Sequence, residues 1–240
     1  MLPVGELSVA DLAQLAQSAD VRVAIDLLAT WRMQAAQPLL ALRARGRGGD
    51  LEVSAMELAL DRWYLCAALR GAREAGEAGR PVVEVLDREA DAANILTALR
   101  LIGATDTATA VREHFGVDNV GQLFVGPGQI QFAQLTEAAH KASVVEAVNV
   151  LADTSYGELL AGAMEAYIAS GHLSVFERAL SRRRLQRTAK LLARDPLGIG
   201  VLLGYVTLKT NEVSNLRTIA QGLMLGDKPD RIRAELMFAN

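Results

Sequence analysis

Apolar positions along this chain recur at three- and four-residue intervals, the spacing that lines one face of a helix, and the same succession is met twice. At an offset of 123 residues, GELSVADL (Gly5 to Leu12) falls on GQIQFAQL (Gly128 to Leu135), pairing Leu7 with Ile130, Val9 with Phe132 and Leu12 with Leu135. Val21, Ala24, Leu27 and Leu28 fall on Val144, Ala147, Val150 and Leu151, and each copy then reaches a threonine, Thr30 and Thr154. Farther on the offset shortens to 120, where Glu57, Ala59 and Leu60 meet Glu177, Ala179 and Leu180. At an offset of 121, READAANILTALR (Arg88 to Arg100) meets KTNEVSNLRTIAQ (Lys209 to Gln221), so that Asp91 pairs with Glu212 and Asn94 with Asn215. Each copy is predicted to close on a short helix, TDTATAVREHF and GDKPDRIRAEL, with Val111/Ile232, Arg112/Arg233 and Phe115/Leu236 coinciding. Asp106 and Asp227 are expected there as N-terminal caps or first-turn acids.

The pattern predicts an all-α fold of two tandem helical modules, 1–118 and 129–240, joined by a linker at 119–128. Glycines and Pro127 in GVDNVGQLFVGPG (Gly116 to Gly128) punctuate the boundary. Four to six helices per module are expected, separated by breakers at Arg43–Asp50, Glu74–Pro81, Ser170–Ser174 and Arg194–Gly198. Composition agrees: 51% of residues are hydrophobic and only 5% aromatic, with Leu, Ala, Arg and Glu prominent, a balance that favours helix over sheet.

Charge and cysteine content narrow the function classes. A net charge of −3 and a pI near 5.7 speak against a chain that works by neutralising nucleic-acid phosphates. The charge is uneven: residues 1–120 hold 12 Lys+Arg against 17 Asp+Glu, and residues 121–240 hold 13 against 11, a polarity suited to orienting the molecule between partners. The single cysteine, Cys66, lies in the apolar run WYLCAAL, where it is expected as a packed core thiol in a reducing compartment. MLPVGELSVADLAQL meets Glu6 and Asp11 early and lacks the basic start and apolar stretch of a secretory signal, so a cytoplasmic location is expected. The longest apolar run, Leu197 to Leu208, contains three glycines and is shorter than the roughly 20 residues a membrane helix needs.

Candidate chemistry is sparse. Asp87 and Asp91, four apart on a helix, have the spacing of a divalent-cation and diphosphate site, but the second copy keeps only Glu212, which favours a structural role for the Asp91/Glu212 position. The glycines at 198, 200 and 204 have neither the preceding strand nor the Lys-Ser/Thr of a phosphate loop, and read as close helix packing. His114, His140 and His172 lack partners at metal-ligand spacing. No acid–base pair, nucleophile elbow or triad is legible, so no catalytic residue, cofactor or metal site is predicted. The repeated Asn94 and Asn215 are each expected to hydrogen-bond a neighbouring helix, and Glu57 and Glu177 to pair with Arg100 and Arg217 within their own modules. The densest basic stretch, Arg182, Arg183, Arg184, Arg187 and Lys190, is the one candidate docking patch, because three successive arginines on a helix cannot all face a core.

Two segments carry a resemblance. Pro196 through Tyr205 to Asn211-Glu212-Val213-Ser214-Asn215-Leu216-Arg217-Thr218-Ile219-Ala220 is similar to the closing signature of the C subunit of A/V-type rotary ATPases, whose equivalent in eukaryotic vacuolar enzymes is the d subunit. ELALDRWY at 57–64, followed by Glu89 to Arg100 with its acidic-x-x-Asn-(Ile/Leu) pattern, resembles that family's middle module. The resemblance implies a funnel of helical modules on the cytoplasmic face of a membrane proteolipid ring. It implies partners too: the D and F subunits of the central stalk and the ring itself, with no nucleic acid and no small-molecule substrate. It further implies a non-catalytic rotor adaptor, peripheral to the membrane, coupling shaft to ring for proton or sodium transport. The resemblance implies three pseudo-equivalent modules in the family, of which this sequence is expected to hold two, the first being the one not represented. The competing readings are an unrelated helical-repeat scaffold and a magnesium-dependent helical diphosphate enzyme using Asp87 and Asp91.

Overall fold

The computed structural model describes residues 6–45, 51–103, 111, 115, 117–194 and 196–239. The regular elements among them are helices: α1 (Val9–Ala16), α2 (Val21–Thr30), α3 (Ala36–Arg45), α4 (Val53–Glu74), α5 (Arg80–Leu101), α6 (Phe132–Ala139), α7 (Val144–Val150), α8 (Gly157–Ser170), α9 (Ser174–Ala189), α10 (Leu191–Arg194), α11 (Ile199–Leu225) and α12 (Pro229–Glu235), with 3-10 turns at Gly76–Gly79 and Val120–Leu123. No strand occurs among the described residues, as the all-α expectation requires. Asp106, Arg112, His114 and the turn at 46–50 lie outside the described residues. No described helix is long and apolar enough to cross a membrane.

The chain forms two compact units, Met1–Tyr64 with Asp106–Leu123, and Leu65–Thr105 with Phe124–Asn240. In the first, α1 opens on a capping box: Asp11 N–H donates to the Ser8 hydroxyl (3.2 Å) and Ser8 N–H to the Asp11 carboxylate (2.8 Å). Both donors would otherwise be orphans of the first turn. Asp20 caps α2 by its side chain alone, accepting Val23 N–H at 2.9 Å. α2 and α3 pack together, tied by the Arg43–Asp26 ion pair at 2.7 Å. Among the described residues of this unit, Ile25, Ala36, Leu39, Ala55, Val111, Val120 and Leu123 are the buried apolar ones, whereas no residue of α1 is buried.

In the second unit, Leu65 and Leu69 of α4 meet Leu86 and Ala90 of α5, with Val82, Val83 and Val125 around them. α5 starts directly after its 3-10 turn with Pro81 in the first turn, where a missing N–H costs nothing. α6 and α9 pack on α5, and α9 and α10 on α11. Leu135, Leu151, Leu160 and Leu191 are almost wholly buried, each worth about 1.5–3 kcal/mol over an exposed position. Gly204 is where α11 approaches α10: a Cβ there would come within 2.6 Å of Leu192 Cγ. Gly200 is buried as well, while Gly198 is the extended N-cap of α11.

Two expectations need correction. Cys66 is exposed, because the buried face of α4 runs through Leu65 and Leu69 and a neighbouring residue lies about 100° around the helix. Asp227 does not cap α12: Lys228 holds that position, and Asp227 accepts from Arg231 at 2.9 Å instead.

Candidate docking groove

Two asparagine clamps fix the backbone that leads into, and closes, the second unit. Asn94 Oδ1 accepts Val125 N–H at 2.9 Å, and Asn94 Nδ2 donates to the Gly126 carbonyl at 3.0 Å. One turn earlier, Asp91 Oδ1 accepts Ile130 N–H and Oδ2 accepts Gln129 N–H, both at 3.1 Å. Gly128 sits beside these donors because a Cβ there would overlap the Asp91 carboxylate. On α11, Asn215 repeats the device with Met237, whose N–H donates to Oδ1 at 3.1 Å and whose carbonyl accepts from Nδ2 at 2.8 Å. Both asparagines therefore hold irregular backbone and not, as expected, a neighbouring helix. A carboxamide presents a donor and an acceptor side by side, and only a segment outside a helix has its own N–H and C=O free to meet them.

The paired acids behave differently. Asp91 is fully buried; burial pushes its pKa up, opposed by the Ile130 and Gln129 N–H groups and by the Tyr156 hydroxyl. Glu212 is exposed and pairs with Lys209 at 2.7 Å, so the structural role expected of both is found at Asp91 alone. A cation at Asp87 and Asp91 would have to displace two backbone donors from Asp91, and burial pushes the Asp87 carboxyl up as well. Among the described residues no group of three or more His, Cys, Asp or Glu side chains is placed to hold a metal.

From Asp91 the polar chain reaches the surface. The Tyr156 hydroxyl donates to Asp91, and burial together with that carboxylate holds the phenol well above its ordinary pKa. The guanidinium of Arg183 lies 5.2 Å from the Tyr156 ring centroid, a cation–π distance. Arg183 stands in a groove of about 1000 Å³ between α8 and α9. Leu159, Gly162, Ala163 and Ala166 line its α8 side, and Arg182, Arg183, Arg187 and Lys190 line its α9 side, with Glu158 as the acidic group among the lining residues. Arg182, Arg187 and Lys190 are exposed. Arg184 points elsewhere, toward Glu89 at 3.8 Å. Four of the five predicted patch residues thus line one groove. Sequence reading missed Tyr156 and the α8 wall, although the small residues Gly162, Ala163 and Ala166 at helical spacing were a signal for a shallow floor. An apolar floor beside a cationic wall suits an amphipathic, acidic helix.

The expected Glu57–Arg100 and Glu177–Arg217 pairs are replaced by one between copies, Arg100 to Glu177 at 3.4 Å. Both side chains are more than half exposed, so the contact contributes little.

Compared with known families, residues 1–235 match the model of the ATP synthase (C/AC39) subunit. The chain belongs to this family. The C subunit of the A-type ATP synthase of Methanobrevibacter smithii is 28% identical over 70% of this chain and 42% of its own length. Its counterpart in Methanocaldococcus jannaschii is 29% identical over 75% of this chain and 43% of its own, and that of Haloferax volcanii 32% over 68% and 44%. The chain thus spans less than half of these C/AC39 relatives. Within the family match lie the Asn94 clamp, Asn215 itself and the α8–α9 groove, with α12 ending at its edge and Met237, which Asn215 grips, just beyond it.

Proposed function

We propose that this chain is a non-catalytic rotor adaptor of an A/V-type ATPase, coupling the central shaft to the membrane proteolipid ring. Proton or sodium transport, linked to ATP synthesis or hydrolysis, would then be driven elsewhere in the complex. The observation that carries this reading is the C/AC39 match over residues 1–235. The named role of the relatives, as C subunits of A-type ATP synthases, supports it. In this reading the repeats 1–118 and 129–240, linked by 119–128, are its two modules, and the chain sits on the cytoplasmic face of the membrane through its partners. Those partners are the D and F subunits of the central stalk and the ring. The Arg182, Arg183, Arg184, Arg187 and Lys190 surface is the docking patch, with the α8–α9 groove receiving an acidic helical segment.

The test is a pull-down of the chain with purified D and F subunits and with detergent-solubilised proteolipid ring. Capture of both at once is the expected result. Capture of neither by the folded chain overturns the reading.

A further inference from the structure

We propose that the chain assembles head to tail with a second copy of itself, α1 of one copy docking on the exposed stripe of α11 in the next. The inference stands on the internal repeat and is independent of the rotor reading.

Within one chain, the start of the second copy already docks on the last long helix of the first. α6 packs on α5, burying Leu135, Ala138 and Ala139, and its lead-in backbone donates Gln129 and Ile130 N–H to Asp91. Asp91, which accepts those two N–H groups, and Ile95, one turn farther along the same side of α5, are both 0% exposed. The equivalent positions on α11 are Glu212 and Leu216, and there Leu216 is 59% exposed. Tyr205, Glu212, Leu216 and Leu223 recur at spacings of seven, four and seven residues, which places them on one helix face. Tyr205 and Leu223 are 55% and 65% exposed. The Asn215 clamp is closed on Met237 as the Asn94 clamp is on Val125 and Gly126. The acid beside it, however, accepts no backbone N–H among the described residues and takes Lys209 instead. The second copy therefore carries the same socket as the first, closed at the asparagine and uncovered at the acid and the apolar stripe.

The matching plug is α1. It is the sequence equivalent of α6, with Leu12, Leu15 and Ala16 at the positions of Leu135, Ala138 and Ala139. Those α6 residues are buried, whereas α1 buries none. Glu6 and Leu7 stand at the positions of Gln129 and Ile130, so their N–H groups would reach Glu212. Charge favours the same pairing, since the half that carries α1 is net −5 and the half that carries α11 is net +2. Such an interface joins unlike surfaces, so it either closes into a ring or extends.

Sedimentation of the chain over a concentration series tests this, using Leu12→Glu to block the plug and Leu216→Glu to block the stripe. Wild type is expected to associate, and each variant alone to associate at least about tenfold more weakly, because a carboxylate replaces a leucine's burial. An equal mixture of the two variants is expected to give a heterodimer through the one intact pair of surfaces. Circular dichroism checks that each variant folds. Independently of those variants, Leu7→Cys and Glu212→Cys chains, each in a Cys66→Ser background, should form an intermolecular disulfide when mixed. Glu212→Cys mixed with Ile168→Cys, an exposed position on α8, should not. A wild type that stays monomeric at every concentration overturns the proposal and leaves the stripe to a different chain. Association that neither variant weakens, or variants that do not complement each other, overturns it equally.

Discussion

Asn94 and Asn215 make the same pair of hydrogen bonds to backbone, but Asn94 is almost wholly buried and Asn215 only partly. Removing a partner from a buried peptide group costs about 1–3 kcal/mol, more than the bond itself contributes. Asn94→Ala is accordingly expected to destabilise the fold by about 1–3 kcal/mol and Asn215→Ala by less, where water can replace the lost amide. Urea unfolding of the two variants measures the difference. A second residue-scale prediction concerns Glu84. Burial pushes its pKa up, but its bonds to Arg194 and Arg88, at 2.8 and 3.1 Å, outweigh burial and lower it. A depressed carboxylate contributes stability above its ordinary value of 4.5 and loses it as the pH falls through its folded pKa. Glu84→Gln should therefore lower the melting temperature at pH 7 and make progressively less difference below about pH 4. The repeat made the asparagines visible as positions with a shared task, yet their partners were not legible. What they bind is backbone at 125, 126 and 237, and backbone leaves no side-chain pattern to read.

At the scale of elements, the apolar spacing carried most of the helices, and the breakers at Ser170–Ser174 and Arg194–Gly198 fall where α8 and α10 end. Gly171 accounts for the first, in the left-handed conformation at φ 71° that glycine adopts without penalty. The orientation of α4 was harder to read. WYLCAAL is apolar nearly throughout, so periodicity left the direction of Cys66 open, and the buried face was fixed by α5 through Leu86 and Ala90. The seat of α10 and α11 rests on Gly204, where an added Cβ meets Leu192 Cγ at 2.6 Å and the Thr188 carbonyl at 3.3 Å. Gly204→Val should move these helices apart and cost about 1–3 kcal/mol, the usual effect of overpacking. Gly162→Ala, on the open floor of the groove with nothing within 4 Å of the new methyl, should be neutral or slightly stabilising through helix propensity. Thermal unfolding of both variants compares a crowded glycine with an open one.

For the molecule as a whole, the sequence repeat and the compact units divide the chain differently. α5, the last long helix of the first copy, belongs to the unit that contains the whole second copy, because Asp91 and Asn94 hold the chain at 125–130. A sequence repeat records which segments are alike. It does not record which of them a given helix packs against. The basic stretch on α9 was legible as a patch because arginines so close in sequence cannot all be buried, whereas the groove required α8, whose small residues carry no charge. Charge reversal there, Arg182→Glu with Arg187→Glu, should leave the melting temperature almost unchanged, since both side chains are exposed. In the rotor reading it should weaken capture of the shaft proteins, most at low salt. The two clamps also bear on how this chain can drift. Because Asn94 and Asn215 grip peptide groups, the side chains at Val125 and Met237 are not what the grip recognises, while Gly128 has no room for any side chain at all. A library of all single substitutions should therefore show positions 94 and 128 as nearly invariant beside a permissive 237, a tolerance profile set by main-chain recognition.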